Sequence, residues 1–229
     1  MRKILGYPLT AIRVLVNKLL RLAFQTLYYP LAPVYDKISH YAFLGQWSKW
    51  QKSVIPSIQG KEVLEVGCGT GALYLELLER GYNVRGVDAS APMLNQANRR
   101  LKNAGKSGQL LRAKVQNLPF PDDTFTAVVS TFPTEYILDI NALKEFCRVL
   151  YPGGRLIIVD TAQLRPFNRP AKILLWIYQN ILGYGGKPRT QQAYAQFHLP
   201  LTEAGFVRRD ETFEDEQGEA HIIIATKVW

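Results

Sequence analysis

Apolar positions along the chain follow two periods. Over residues 9–29 the period is helical: Thr10, Arg13, Asn17, Lys18, Arg21 and Gln25 fall within one arc, and Ile12, Leu15, Val16, Leu19, Leu22, Ala23 and Leu27 fall opposite. Val14 and Phe24 break the pattern, and Pro30 and Pro33 end it. A second helical stretch is expected over residues 34–54, carrying Tyr35, His40, Tyr41, Trp47 and Trp50. From Lys61 onward short apolar runs alternate with amphipathic stretches. Strands are expected at 61–66, 82–87, 109–114, 125–130 and 155–160. Helices are expected from the glycine-rich loop to about 80, at 91–103, and at 140–150, where Pro152-Gly153-Gly154 stops the last. Residues 161–187 hold Pro166, Pro170, three glycines and an apolar run at 173–181. A helix at about 190–204 follows, and strands at 206–213 and 219–227, joined by an acidic turn, close the chain.

Strand–helix alternation implies a parallel sheet covered on both faces. Two closing strands joined by so short a turn must run antiparallel to each other. The expected fold is therefore α/β: a doubly wound, seven-stranded, mostly parallel, Rossmann-like sheet with an antiparallel edge hairpin and an N-terminal helical lid. Residues 1–56 form the expected N-terminal segment of basic amphipathic helices. Residues 57–229 form the expected α/β domain, with an insertion at about 161–187.

The chain has 229 residues, 47% hydrophobic and 21% charged, which suits one globular domain with an attached helical segment. Its net charge of +9 is uneven: residues 1–56 carry eight Lys or Arg against Asp36 alone, and the rest is nearly neutral. A basic arm on a neutral body suits an acidic partner. Its apolar face allows two readings, a lid packed on the core or a helix lying on an anionic membrane surface. Nucleic acid is the lesser candidate, because no RNA-binding module is visible. Charge-free stretches reach only 14 residues, too short to span a bilayer. Arg13, Lys18 and Arg21 interrupt the first apolar run, which argues against a signal peptide. Cys68 and Cys147 form neither a Cys-x-x-Cys pair nor a zinc spacing, so no metal site is expected. The expected location is cytoplasmic, with the inner face of a membrane as the alternative.

Gly67, Gly69 and Gly71 follow an apolar strand and precede a helix, where the backbone can turn tightly against a ligand. Asp88 ends the second strand, 21 residues after Gly67, where a carboxylate can accept both hydroxyls of a ribose. These features alone also fit an NAD-dependent oxidoreductase, since Gly67-x-Gly69-x-x-Ala72 satisfies the dinucleotide form. A cofactor-binding module without catalysis is a third reading. No Tyr-x-x-x-Lys pair occurs in the chain, which excludes the short-chain dehydrogenase mechanism.

Further residues separate these readings. Glu65 lies two before Gly67, and Gly71 completes Gly-x-Gly-x-Gly. Leu118-Pro119-Phe120-Pro121-Asp122-Asp123-x-Phe125 precedes the fourth strand, and Arg148-Val149-Leu150-x-Pro152-Gly153-Gly154-Arg155 the fifth. In these motifs the sequence resembles the class I S-adenosylmethionine-dependent methyltransferases, in the subgroup that includes menaquinone and ubiquinone biosynthesis enzymes. The resemblance is close over about 34–160. It implies S-adenosylmethionine as cofactor, with Glu65 and the loop Gly67, Cys68, Gly69 and Gly71 at the methionine part. It further implies Asp88 and Ala89 at the ribose, and Met93, Val115 and Gln116 at the adenine, followed by Asn117 and Leu118. Relatives often have an acceptor aspartate where this chain has Lys114, which cannot accept a hydrogen bond.

The resemblance also places Thr131 to Tyr136 facing the transferred methyl, with Glu135 and Tyr136 as candidates to position the nucleophile. Read as structure alone, Tyr136 is a core aromatic and Glu135 a solvated helix-start residue. Tyr35-Asp36 resembles the pair that precedes the core in quinone and lipid methyltransferases. Tyr28, Tyr35, His40 and Thr131 make the expected lid and acceptor side. Taken singly, His40 reads as a surface or packing residue, and Trp47 and Trp50 as packing residues. The implied reaction is methyl transfer to an O, N or C nucleophile of a small lipophilic acceptor: a quinol, a phenol or a lipid headgroup.

Overall fold

A computed structural model describes residues 32–180 and 199–228. The amphipathic stretch 9–29, Tyr28 and most of the helix expected at 190–204 lie outside the described residues. The elements, in chain order, are α1 (Tyr35–Ala42), α2 (Gln46–Lys52), β1 (Glu62–Val66), α3 (Ala72–Glu79), β2 (Asn83–Asp88), α4 (Ala91–Asn103), β3 (Gln109–Arg112), β4 (Phe125–Thr131), α5 (Ile140–Val149), β5 (Leu150–Leu164), α6 (Arg169–Asn180), β6 (Phe206–Glu214) and β7 (Gly218–Lys227).

The strands form one sheet in the order β3-β2-β1-β4-β5-β7-β6. β3, β2, β1, β4 and β5 run parallel, and β7 pairs antiparallel with both β5 and β6. β1 lies centrally, and Val63 and Leu64 belong to separate cores on opposite faces, so four of its five residues are buried, Glu65 among them. Chain order reverses between β1 and β4, so the crevice at the carboxyl ends of β1, β2 and β4 is the expected ligand position for this topology. β3 and β6 are the edge strands, and β6 carries the ion pairs Arg208–Asp210 and Arg209–Glu211, a charged edge that discourages pairing with another chain. His221 of β7 is buried between Asp160 (2.7 Å) and Asp210 (3.2 Å) and ties three strands together. Among the described residues no helix is long and apolar enough to cross a membrane.

Four expectations need correction. The helix expected over 34–54 is two helices, broken where Leu44 (φ 50°) and Gly45 (φ 80°) enter the left-handed region. Strand five starts at Leu150 and runs on to Leu164, because β7 pairs with it from Arg155 to Leu164. Residues 161–164 therefore belong to the sheet and not to an insertion. Residues 199–204 are turn and coil, so the helix expected to reach Ala204 does not.

Candidate functional site

The loop after β1 crosses onto the end of β2. Gly67 and Cys68 donate backbone N–H groups to the Val87 carbonyl at 2.8 and 3.1 Å. Gly67, Gly69 and Gly71 have φ of 68°, 53° and 73°, which side chains with a Cβ rarely adopt. At Gly71 a Cβ would also lie 2.9 Å from that of Ala97, so glycine lets α4 pack on the loop. Asp88 fixes the crossing. Its Oδ2 accepts from Gly69 N–H at 2.9 Å, and its Oδ1 accepts from Ser90 N–H at 2.7 Å. Burial raises its pKa, and those backbone donors oppose the rise.

Beneath the loop, Glu65 is 3% exposed on the central strand, and its Oε2 has no hydrogen-bond partner among the described residues. Burial, then the charge of Asp88, push its carboxyl up to about 8, against a smaller lowering by Arg100. A buried acceptor without a donor is a costly arrangement that a bound cation or donor would relieve. The cleft above is lined by Gly67, Cys68, Gly69, Thr70, Met93 and Thr131 from the sheet side, and by Tyr35, Asp36, Trp47 and Gln51 from the lid side. It encloses about 390 Å³, its open mouth included. A buried carboxyl without a partner beneath a nucleotide-type loop suits a ligand with a cationic or hydrogen-bond-donating tail.

The lid is tied to the loop by one polar cluster. Asp36 of α1 accepts from the Thr70 hydroxyl (2.7 Å) and pairs with Arg100 of α4 (2.6 Å). Arg100 also donates to the Thr70 carbonyl at 2.6 Å. Half-exposed pairs contribute roughly 0–1 kcal/mol each. Arg100→Met should therefore leave the fold intact, yet raise the cofactor dissociation rate by about 3- to 10-fold. Stopped-flow displacement measures it, and an unchanged rate means that α1 does not retain the ligand.

An aromatic wall closes the lid side. Trp47 stacks on Phe132 with ring centroids 4.1 Å apart and on Phe43 at 4.9 Å, and Trp50 meets Phe132 edge-on. Phe132 directly follows β4 and sits at φ 51°, held by its N–H donating to Val159 at 2.7 Å. A non-glycine residue held in that region is strained, and such strain clusters at functional sites.

The expected site residues divide accordingly. Tyr35, Gly67, Cys68, Gly69, Met93 and Thr131 meet in the cleft, with Glu65, Gly71 and Asp88 immediately around it. Tyr136 approaches Gly67 and shares a 2.7 Å hydrogen bond with Ser130. Glu135 is exposed, and His40 is exposed with its ring against Gly45 and Tyr41. Neither lines the cleft. Val115 packs against the core, and the Gln116 amide donates to Asp139 at 3.0 Å. Ala89 and Lys114 are exposed, and the Ala89 carbonyl accepts from Arg112. Trp47, expected as packing, lines the cleft. Asp36, Gln51, Thr70 and Ala72 were not in the expected set; the Tyr-Asp pair signalled Asp36 and the glycine-loop pattern signalled Ala72.

The order of the strands and the glycine loop at the reversal point define an α/β fold of the nucleoside-binding kind, and the buried carboxyls around the loop suit a ligand with a cationic group. Comparison with known proteins gives the family. The methyltransferase domain family matches residues 63–154. A demethylmenaquinone methyltransferase of Lactiplantibacillus plantarum is 32% identical over 193 residues, 80% of this chain and 80% of that protein. A 2-phytyl-1,4-naphtoquinone methyltransferase of Nostoc punctiforme is 32% identical over 167 residues, 69% of this chain and 70% of that protein. The structure of geranyl diphosphate C-methyltransferase from Streptomyces coelicolor, bound to S-adenosylhomocysteine, shares the fold with a TM-score of 0.56 at 17% identity, over 79% of each chain. The chain belongs to the class I S-adenosylmethionine-dependent methyltransferases, and its cofactor is S-adenosylmethionine.

Proposed function

We propose that this methyltransferase acts on a lipophilic aromatic acceptor of the quinol type. The observation that carries the reading is the Trp47–Phe132 stack: a flat apolar wall between the lid and the end of β4, beside the glycine loop. Aromatic pairs prefer stacked or edge-on partners, and Trp47, held between Phe43 and Phe132, lines the cleft where a planar acceptor would meet it. The quinone methyltransferases among its relatives favour the same class.

S-adenosylmethionine, when bound, supplies an electrophilic methyl group on a sulfonium. The chain's own residues hold and align the reactants. Glu65 lies where a cationic methionine end would be neutralised. Asp88 holds the loop and has lone pairs left for ribose hydroxyls. Met93, fully buried at the cleft, gives the adenine an apolar seat. Thr131 and the Ser130–Tyr136 pair stand at the end of β4, on the acceptor's approach. Displacement at a methyl group is in-line, so alignment supplies much of the acceleration. A second proposed contact lies outside the described residues: the basic amphipathic pattern of 9–29 fits an anionic membrane surface.

Trp47→Ala tests the wall. It should raise KM for a reduced prenylated naphthoquinone by about tenfold, in line with the roughly 0.5–1.5 kcal/mol of an aromatic pair plus lost contact area. The dissociation constant of S-adenosylhomocysteine should change by less than about threefold. An unchanged KM removes the wall from the acceptor site.

A further inference from the structure

Five exposed large apolar side chains lie on or beside two touching helices, α1 and α6. On α6 the outward positions repeat at helical spacing: Arg169, Lys172, Ile173, Trp176 and Asn180. Ile173 is 62% exposed and Trp176 58%. The inward side of α6 is occupied. Ala171 is buried, Leu174, Leu175 and Tyr178 pack on the core that holds Trp50, and the Tyr178 hydroxyl donates to the Ala42 carbonyl of α1 at 2.5 Å. The pattern recurs on α1. Val34, Ile38 and Tyr41 are exposed with Lys37 among them, Tyr41 at 74%, whereas Ser39 is buried and Tyr35 lines the cleft.

Single exposed apolar residues are ordinary, but repeated stripes on touching elements mark a surface that meets something. Charge selects the partner. Lys37, Arg169 and Lys172 accompany the stripes, α6 has no acidic residue, and Asp36, the one acid of α1, is paired with Arg100. A second copy of the chain would set these cations against cations. Residues 1–31 carry Arg2, Lys3, Arg13, Lys18 and Arg21 with no acid, so they match no better. An anionic lipid surface satisfies both features: cations meet headgroups, while Ile173, Trp176 and Tyr41 enter the interface, where aromatic rings with one polar end are favoured.

We infer that α1 and α6 form a docking surface for an anionic bilayer, separate from any contact made by 9–29. Docking there brings the lid that borders the cleft to the phase in which a lipophilic acceptor dissolves. The inference leans on the lipophilic-acceptor reading for its purpose. Its test uses no acceptor, so either can fail alone.

The test uses the full chain and vesicles, either phosphatidylglycerol mixed with phosphatidylcholine or phosphatidylcholine alone. Sedimentation should show at least about tenfold tighter binding to the anionic vesicles, declining as salt rises. The combined variant Tyr41→Glu, Ile173→Glu, Trp176→Glu should lose at least about tenfold of that affinity, because a carboxylate at an anionic interface is repelled. S-adenosylhomocysteine affinity should stay the same and reports that the variant is folded. Should it not fold, Trp176→Phe decides: brominated lipids should quench the parent's fluorescence and quench this variant's less. Absence of vesicle binding by the parent, equal quenching in Trp176→Phe, or a folded triple variant that binds vesicles as the parent does would overturn the inference. Stripe-dependent self-association without vesicles would overturn it in favour of a second copy.

Discussion

Glu65→Gln should abolish the pH dependence of cofactor binding. In the parent, the affinity for S-adenosylmethionine should climb between pH 6 and 8 by up to about tenfold per unit, as one proton is released on binding. The cause is the buried carboxyl, whose pKa of about 8 without ligand falls when a cation arrives above it. Calorimetry in buffers of different ionisation enthalpy counts the proton directly. The same group sets a stability effect of known sign. Its folded pKa lies above the ordinary 4.5, so its contribution to folding is fully present below about pH 4.5 and is lost as pH rises through about 8. Glutamine carries no such penalty. Without cofactor the variant should therefore gain on the parent as pH rises, by a few kcal/mol at pH 8, given about 1.4 kcal/mol per pKa unit. A parent that takes up no proton change on binding, or a variant whose stability tracks the parent's across that range, would show that Glu65 is not the buried titrating group.

Asp88→Ala should weaken S-adenosylmethionine binding by about 10- to 100-fold or more. Hydrogen bonds to a charged group contribute roughly 1.5–3 kcal/mol. Here the loss is double. A ribose bound at Asp88, as proposed, would lose its acceptor, and the N–H groups of Gly69 and Ser90 would lose theirs. The loop should therefore loosen even without ligand, with faster amide exchange at Gly69 and a lower melting temperature. Asp88→Asn keeps one carbonyl oxygen as acceptor and should fall between parent and alanine. If the alanine variant bound as the parent does, the ribose would have to be held elsewhere.

Local rules made much of this legible in sequence. Gly67, Gly69 and Gly71 were readable because positive φ restricts the residue types, and they sit where a strand gives way to a helix. Asp88 was readable as a carboxylate ending the second strand. What escaped depends on partners distant in sequence. β5 runs past Asp160 because β7 lies beside it, and no pattern in residues 161–164 announces that pairing. The latch joins Asp36 to Arg100, 64 residues on. Trp47 packs against the core as expected, but its place in the cleft lining was not foreseen. The left-handed break at Leu44 and Gly45 resets the faces and turns Trp47 toward the cleft. The unpartnered Glu65 oxygen is a matter of depth in the sheet, which motif spacing does not report.

A methyl-transfer assay with the full chain bears most directly on the quinol acceptor. It uses S-adenosylmethionine labelled in its methyl group and a reduced, prenylated naphthoquinone lacking one ring methyl, with the product read by mass spectrometry. One labelled methyl should appear on the acceptor for each S-adenosylhomocysteine formed, with little transfer to a charged, water-soluble acceptor. No transfer to the quinol, together with efficient transfer to a polar acceptor, would contradict the quinol reading.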